Sequence, residues 1–436
     1  MRLFLLLFVL ISTPSLSWAS ATSLFSELKQ NVFQIRVIDI ASGDKFTIGS
    51  GFQISQNGYV ATNFHVVSPY IHEPEKYRLE FMRTESVTTI ENKEVVQPAA
   101  LLTFDVIHDL ALLKIDNPTS EFLLLSDQRL NKGERIYSMG NPLDLGMSIV
   151  EGNYNGLLQA SRYQKILFSG ALNPGMSGGP AMNEEGHVIG INVSTQGSDI
   201  SYLVPVTYLQ KLVDGLAATS ADLTTDSTIP AEAHYQQLIH QSLFDDQQAF
   251  YGKLLNPAFK TKKLGNVKVP SKITSSLKCW GQSKNKKEDS DKLKYQSIQQ
   301  SCATEDEIYI ASGVNLGQFY YNFEWVTSDE LNPFQFYAEI EARFSHDTLN
   351  YTYQEKDITP FQCADNVIAL AEHGWKISTC FRAYKDYPDL YDSQLVMASI
   401  DGEQSALVAK IGASAISKEN TNLLFKRFME SISWNK

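Results

Sequence analysis

Between residues 22 and 217 the apolar segments are short and are cut by turns, and this limits the fold more than any other feature of the chain. The segments 32–38, 46–54, 59–63, 79–81, 99–104, 111–115, 135–139, 149–154, 166–169, 180–182, 188–193 and 200–205 carry the apolar content. Turn pairs such as Asn57-Gly58 and Glu185-Gly186 lie between them. Runs of this length, bounded by turn residues, read as strands. No rhythm of long helices separates them, which excludes a doubly wound parallel sheet. The pattern predicts an all-β sandwich or a pair of barrels, closed by a helix over 206–216. One core rarely extends through 436 residues, so further domains are expected after it.

Within this region one segment has the makings of a nucleophile site. Asn173-Pro-Gly-Met-Ser-Gly-Gly-Pro180 places Ser177 among Gly175, Gly178 and Gly179. The glycines give the backbone freedom to aim amides at a developing oxyanion, with little side-chain bulk beside the hydroxyl. Read blandly, the same string is a glycine-rich turn. A serine needs a base, and His65 follows the predicted strand 59–63, where an imidazole can take the serine proton and pass it on. The base needs an orienting acid. Asp109 stands directly before the apolar segment 111–115 and is the preferred candidate, with Asp105 as its rival. The order His, Asp, Ser is that of chymotrypsin, and differs from the subtilisin and α/β-hydrolase orders.

Taken together, these motifs resemble the protease domain of the HtrA/Deg-type trypsin-like family of serine proteases. The resemblance covers about residues 30–214. It rests on Gly49-Ser-Gly-Phe52, Gly58-Tyr-Val-Ala-Thr-Asn-Phe-His65, Asp109-Leu-Ala-Leu-Leu-Lys-Ile115, Gly140-Asn-Pro142, the Ser177 segment, Gly186-His-Val-Ile-Gly-Ile-Asn192 and Ser201-Tyr-Leu-Val-Pro205. It implies two six-stranded barrels with the cleft between them, His65 and Asp109 coming from the first and Ser177 from the second. It also implies peptide-bond hydrolysis through an acyl-enzyme, with the amides of Gly175 and Ser177 as oxyanion donors and no metal or organic cofactor. By the same resemblance Ala171, six residues before the nucleophile, forms the base of the pocket for the cleaved residue. An alanine there implies small or medium apolar side chains. Met176 stands where the family often has asparagine. The rival readings are a catalytically silent binding module and an esterase. Gly175-Met-Ser-Gly-Gly179 formally matches a nucleophile elbow but lacks the helix an elbow requires.

The second half is not recognised and shows no carboxylate-binding loop of the PDZ kind. Residues 218–231 read as a linker and 232–256 as a helix with Tyr235, Leu238, Ile239, Ser242 and Phe250 on one face; 281–294 reads as a charged loop. From 260 to 436 an α+β accessory domain is expected. Its strands fall at 308–311, 319–325, 334–344, 349–354, 375–384, 394–400 and 405–411, with helices at 364–373 and 418–432, the last capped by Ser417. Its four cysteines allow three pairings, of which the sequential one, Cys279 with Cys302 and Cys363 with Cys380, is expected because it closes short loops; zinc is the competing reading, without a CxxC pair or a nearby histidine cluster to support it. Tyr384, Tyr387 and Tyr391 lie in a polar stretch with Pro388 and are expected to be exposed anchors for a protein partner.

The chain opens with Arg2, a short apolar run from Leu3 to Ile11 and the small residues Ala19-Ser20-Ala21. That is the layout of a secretory signal peptide over 1–21. The run is too short for a membrane span, which needs about 20 apolar residues. Periplasmic or secreted location follows, with protein or peptide substrates as partners. A net charge of −12 disfavours nucleic acid.

Overall fold

A computed structural model describes residues 20–86, 92–195, 199–219, 230–284, 294–345, 357–370 and 372–434. The proposed signal segment up to residue 19, most of the linker and the expected strand at 349–354 lie outside the described residues. So does most of the charged loop at 281–294.

After a short helix, Ala21–Leu28, capped by Ser20, the first half begins with an antiparallel sheet of seven strands. In spatial order these are Asn92–Pro98, Tyr77–Ser86, Val32–Asp39, Lys45–Gln53, Tyr59–Thr62, Leu110–Lys114 and Ala100–Asp105. Val32–Asp39 is buried along nearly its whole length, as expected of a central strand covered on both sides. Six further strands close into a barrel in the order Ile166–Phe168, Ser201–Pro205, Val188–Thr195, Pro180–Met182, Arg135–Gly140 and Ser148–Leu157. One closed six-stranded barrel is therefore present. The first sheet has seven strands and an open edge where a second six-stranded barrel was expected.

The second half is built on another seven-stranded antiparallel sheet. Its order is Leu277–Lys284, Gln296–Thr304, Phe319–Thr327, Ser405–Ser417, Leu390–Ser399, His373–Ala383 and Gln362–Leu370. In Phe319–Thr327 the alternate residues Phe319, Tyr321, Phe323 and Trp325 are buried, the period of two that a one-sided strand demands. They pack under the helix Lys418–Glu430, where Phe428 stacks on Phe323 at 5.1 Å. Ser417 caps that helix by accepting from the Asn420 amide. Both disulfides pair as expected, Cys279 with Cys302 and Cys363 with Cys380, which removes the zinc reading. Each joins directly opposed residues and staples one of the two edge strands to its inner neighbour. These edge strands are largely exposed and bury little apolar surface of their own.

Two element assignments change. Residues 334–344 were expected as a strand and are the helix Pro333–Arg343. Asn332 and Gln335 form a capping box and Pro333 sits at the first helical position, which outweighs the aromatic content. Residues 364–373 were expected as a helix and fall instead in the strand Gln362–Leu370 and the start of its partner. The Cys363–Cys380 bridge holds that hairpin together.

The halves are not insulated from one another. The long helix Ala231–Leu255 sends Ile239 and Leu243 into an apolar cluster with Phe33, Val67 and Ile71 of the first sheet and its helix. Leu238, expected on that inward face, is 41% exposed. Ile308, Ile310, Leu390, Tyr384 and Tyr387 complete the same cluster from the accessory half. Tyr384 and Tyr387 are thus buried, at 4% and 5% exposure, and Tyr391 is half-buried. The expectation of exposed anchors is overturned for Tyr384 and Tyr387, because the first half of the chain covers them. The Tyr384 hydroxyl also donates to the buried Asp392 carboxylate.

Candidate active site

His65 lies in the first turn of the helix Phe64–His72, where backbone amides have no partner within the helix. Asp109 supplies one. Its Oδ1 accepts from the His65 amide at 2.8 Å, and its Oδ2 accepts from ring Nδ1 at 2.7 Å. One carboxylate thus fixes both the main chain and the ring of the histidine, and sits at the helix end that favours negative charge. Asp109 adopts φ 57°, a left-handed conformation that aspartate tolerates better than most side chains. The side-chain amide of buried Asn63 donates to the Asp109 carbonyl at 2.7 Å and braces this turn.

Asp105 is engaged elsewhere. Its carboxylate accepts from the amides of Ile107 and His108 and from the His108 ring at 2.7 Å, a local turn that does not reach His65. Burial opposes charging of His65, but the Asp109 charge and hydrogen bond outweigh it. The imidazole pKa is raised above its ordinary 6.5.

Ser177 sits in a loop whose glycines are required by contact. Gly178 has φ +84°, and a side chain there would meet the Ser50 carbonyl at 2.2 Å. Gly175 has φ +94°, and a side chain would meet the Asn141 carbonyl at 2.4 Å. Only glycine suits both the dihedral and the space. Met176 is fully buried among Ile136, Phe168, Leu172 and Ala181, so this position is a core residue of the barrel. The Ser177 hydroxyl donates to the Val193 carbonyl at 3.1 Å. That bond occupies the single proton of the hydroxyl, which is directed at Val193 and not at His65.

The loop is held from outside by residues that the sequence reasoning missed. Ser50 accepts from the Asn141 amide at 2.9 Å and donates to the Gly175 carbonyl at 2.7 Å. Its place inside Gly49-Ser-Gly-Phe52 is the signal that pointed to it. The Leu143 amide donates to the Pro174 carbonyl at 2.8 Å. In a trans peptide the N–H points opposite to the C=O, so this bond turns the Gly175 N–H away from Leu143. Asn192 braces the other side, its amide donating to the carbonyls of Met139 and Met176 at 3.0 and 3.1 Å. Ala171 is uncharged and exposed.

The first half of the chain is similar to known proteases. Residues 49–191 match the trypsin-like peptidase domain family. A probable periplasmic serine endoprotease DegP-like from Brucella suis biovar 1 is 32% identical over 180 residues, covering 38% of this chain and 32% of that protein. A mitochondrial serine protease HTRA2 from Drosophila erecta is 32% identical over 193 residues, covering 42% of this chain and 43% of that protein. The chain therefore spans less than half the length of these relatives. Among solved structures, a serine endoprotease from Yersinia pestis aligns with a TM-score of 0.39 and 23% identity, over 46% of this chain and 68% of that one. The N-terminal half of the chain is a trypsin-like serine-protease domain of the HtrA/Deg family.

Proposed function

We propose that this protein is an exported serine endopeptidase that hydrolyses peptide bonds through an acyl-enzyme. The observation that carries the reading is the double hold of Asp109 on His65, within a domain whose glycine-bound Ser177 loop is braced on two sides. Ser177 Oγ attacks the carbonyl carbon while His65 Nε2 takes its proton. The carbonyl oxygen gains negative charge and is met by the amides of Gly175 and Ser177. His65 then protonates the leaving amine, which departs and leaves the acyl-enzyme. Water, activated by the same imidazole, releases the second product. Asp109 keeps Nε2 free of its proton by holding the proton on Nδ1. These steps call on no metal or organic cofactor.

Ala171 offers no charge to a bound side chain, which supports small or medium apolar residues at the cleaved position. A cleavage profile dominated there by Lys and Arg would contradict this. Periplasmic or secreted location is supported by the leader pattern, by two disulfides, which persist in oxidising compartments, and by the periplasmic designation of the Brucella relative. Among the described residues no helix is long and apolar enough to cross a membrane. The decisive test is covalent labelling of the full chain by a fluorophosphonate probe. Labelling that is lost in S177A, together with cleavage of an unfolded protein, is expected. An unlabelled, folded wild type would point to a silent module.

A further inference from the structure

The catalytic histidine has a neighbour from the other half of the chain. Two short strands, Ile308–Ala311 and Val314–Leu316, form an accessory hairpin that packs on the His65 helix. The His72 ring donates from Nε2 to the Ile310 carbonyl at 2.9 Å, while its Nδ1 accepts from Gln236 of the long helix at 2.8 Å. The hairpin brings Tyr309 edge-on to the His65 ring, with centroids 5.8 Å apart. A cavity of about 410 Å³ lies between the halves at this point. His65, Asp109 and Val193 line it from the protease side, and Glu305, Glu307 and Tyr309 from the accessory side. Val193 is the residue whose carbonyl receives the Ser177 hydroxyl, so the cavity opens beside the reacting groups.

The charges around this cavity do not cancel. Lys165 lines it, but its ammonium is paired at 3.1 Å with Asp306, which is buried. His108 is paired with Asp105. Glu305 is paired with Lys278. Glu307 accepts from the Gln318 side-chain amide and pairs with no cation among the described residues. Tyr163 and Tyr202 add aromatic walls. A long cationic side chain fits such a lining: its methylene stem lies along aromatic faces and its charged head reaches a carboxylate.

Resting on the protease reading above, we propose that the accessory hairpin forms one wall of a substrate subsite beside His65. Tyr309 and Glu307 make that subsite select a lysine or arginine near the scissile bond, at a position other than the cleaved residue read by Ala171. Glu307 is solvent-exposed, so its contribution to selectivity is modest, about fivefold. The test compares matched peptides that differ only by lysine or norleucine at each position around a known cut. The full chain is expected to favour lysine at one flanking position. E307Q should lower the lysine-to-norleucine ratio of kcat/KM by about fivefold. E307K should turn the preference toward glutamate, and Y309A should erase it while Y309F retains it. Reversal by E307K is a result that general destabilisation cannot produce. Identical ratios in wild type and all four variants would overturn the inference, and with fluorophosphonate labelling intact the protease reading would stand. If no peptide is cut, the affinity of the same peptides for S177A supplies the ratios. Equal affinity of S177A for the lysine and norleucine peptides would then overturn the inference.

Discussion

The cleft is held in two ways, and they differ in reach. Asp109 grips His65 across 44 residues of chain, within one sheet and its helix. The opposite wall is gripped across far greater distances. Asp306 accepts from the Ser161 hydroxyl, 145 residues away, at 2.8 Å and from the Arg162 amide at 2.5 Å. Arg162 in turn pairs with Asp246 of the long helix at 2.5 Å and lies over Phe250 at 4.0 Å. The near grip sets a proton's position to within a hydrogen bond. The far grip sets where the accessory half sits, and so which side chains border the cleft. On the proposed function, substitutions at the near grip should therefore act on turnover and those at the far grip on stability.

The largest effect is expected at the near grip. D109N should lower turnover on the order of 10⁴-fold, because the amide no longer enforces the right tautomer. The pH profile sharpens the case. In the wild type His65 must be neutral to act as base, and its pKa is raised above 6.5, so the acid limb of kcat/KM should lie above that value. D109N removes both raising causes and leaves burial, which lowers the pKa. Its residual activity should show an acid limb below 6.5. An unmoved limb would break the assignment. The same shift has a stability sign: a raised histidine pKa contributes fully below its unfolded value of about 6.5 and fades as pH rises through the folded value. The measured stability of S177A should therefore fall as pH rises above about 6.5.

At the far grip the expected loss is in stability. D306A leaves Lys165, the Ser161 hydroxyl and the Arg162 amide without their buried acceptor, and should cost about 3–5 kcal/mol by urea unfolding. Little loss would mean the halves are held by their apolar cluster alone. A truncation at residue 217 tests that cluster directly. It strips Ile239, Leu243, Ile308 and Tyr387 from a core they share with Val67 and Ile71, and should aggregate or unfold. A soluble, cooperatively folding fragment would show that the protease half stands alone. The smallest effect is expected from S50A, which leaves the buried Gly175 carbonyl without its donor and the Asn141 amide without its acceptor. The cost is about tenfold in kcat/KM and about 1–3 kcal/mol in stability by urea unfolding.

Short-range features were legible along the chain. Strands bounded by turns, the cap at Ser417 and sequential cysteine pairing depend on residues close in sequence. His65, Asp109 and Ser177 could each be named from a motif of a few residues. Asp109 over Asp105 was also legible, because only Asp109 abuts the strand that carries it to the His65 helix. The aromatic segment 334–344 misled, since its side chains suit a strand while Asn332-Pro333 and Gln335 start a helix. Tyr384 and Tyr387 misled for a different reason. A polar stretch with proline reads as surface, and nothing within it reports that another part of the chain lies on top.

By itself the sequence marked the candidate reacting groups, because each needs only a local backbone shape: a helix start for His65, a left-handed turn for Asp109, glycines around Ser177. Only the tertiary structure decided that a hairpin at 308–316 would face His65 and that tyrosines from a polar loop would become core. Contacts across 145 residues or more depend on how two whole sheets dock, and docking is set by summed burial and ion pairing over a wide surface, a quantity that no short stretch of residues carries.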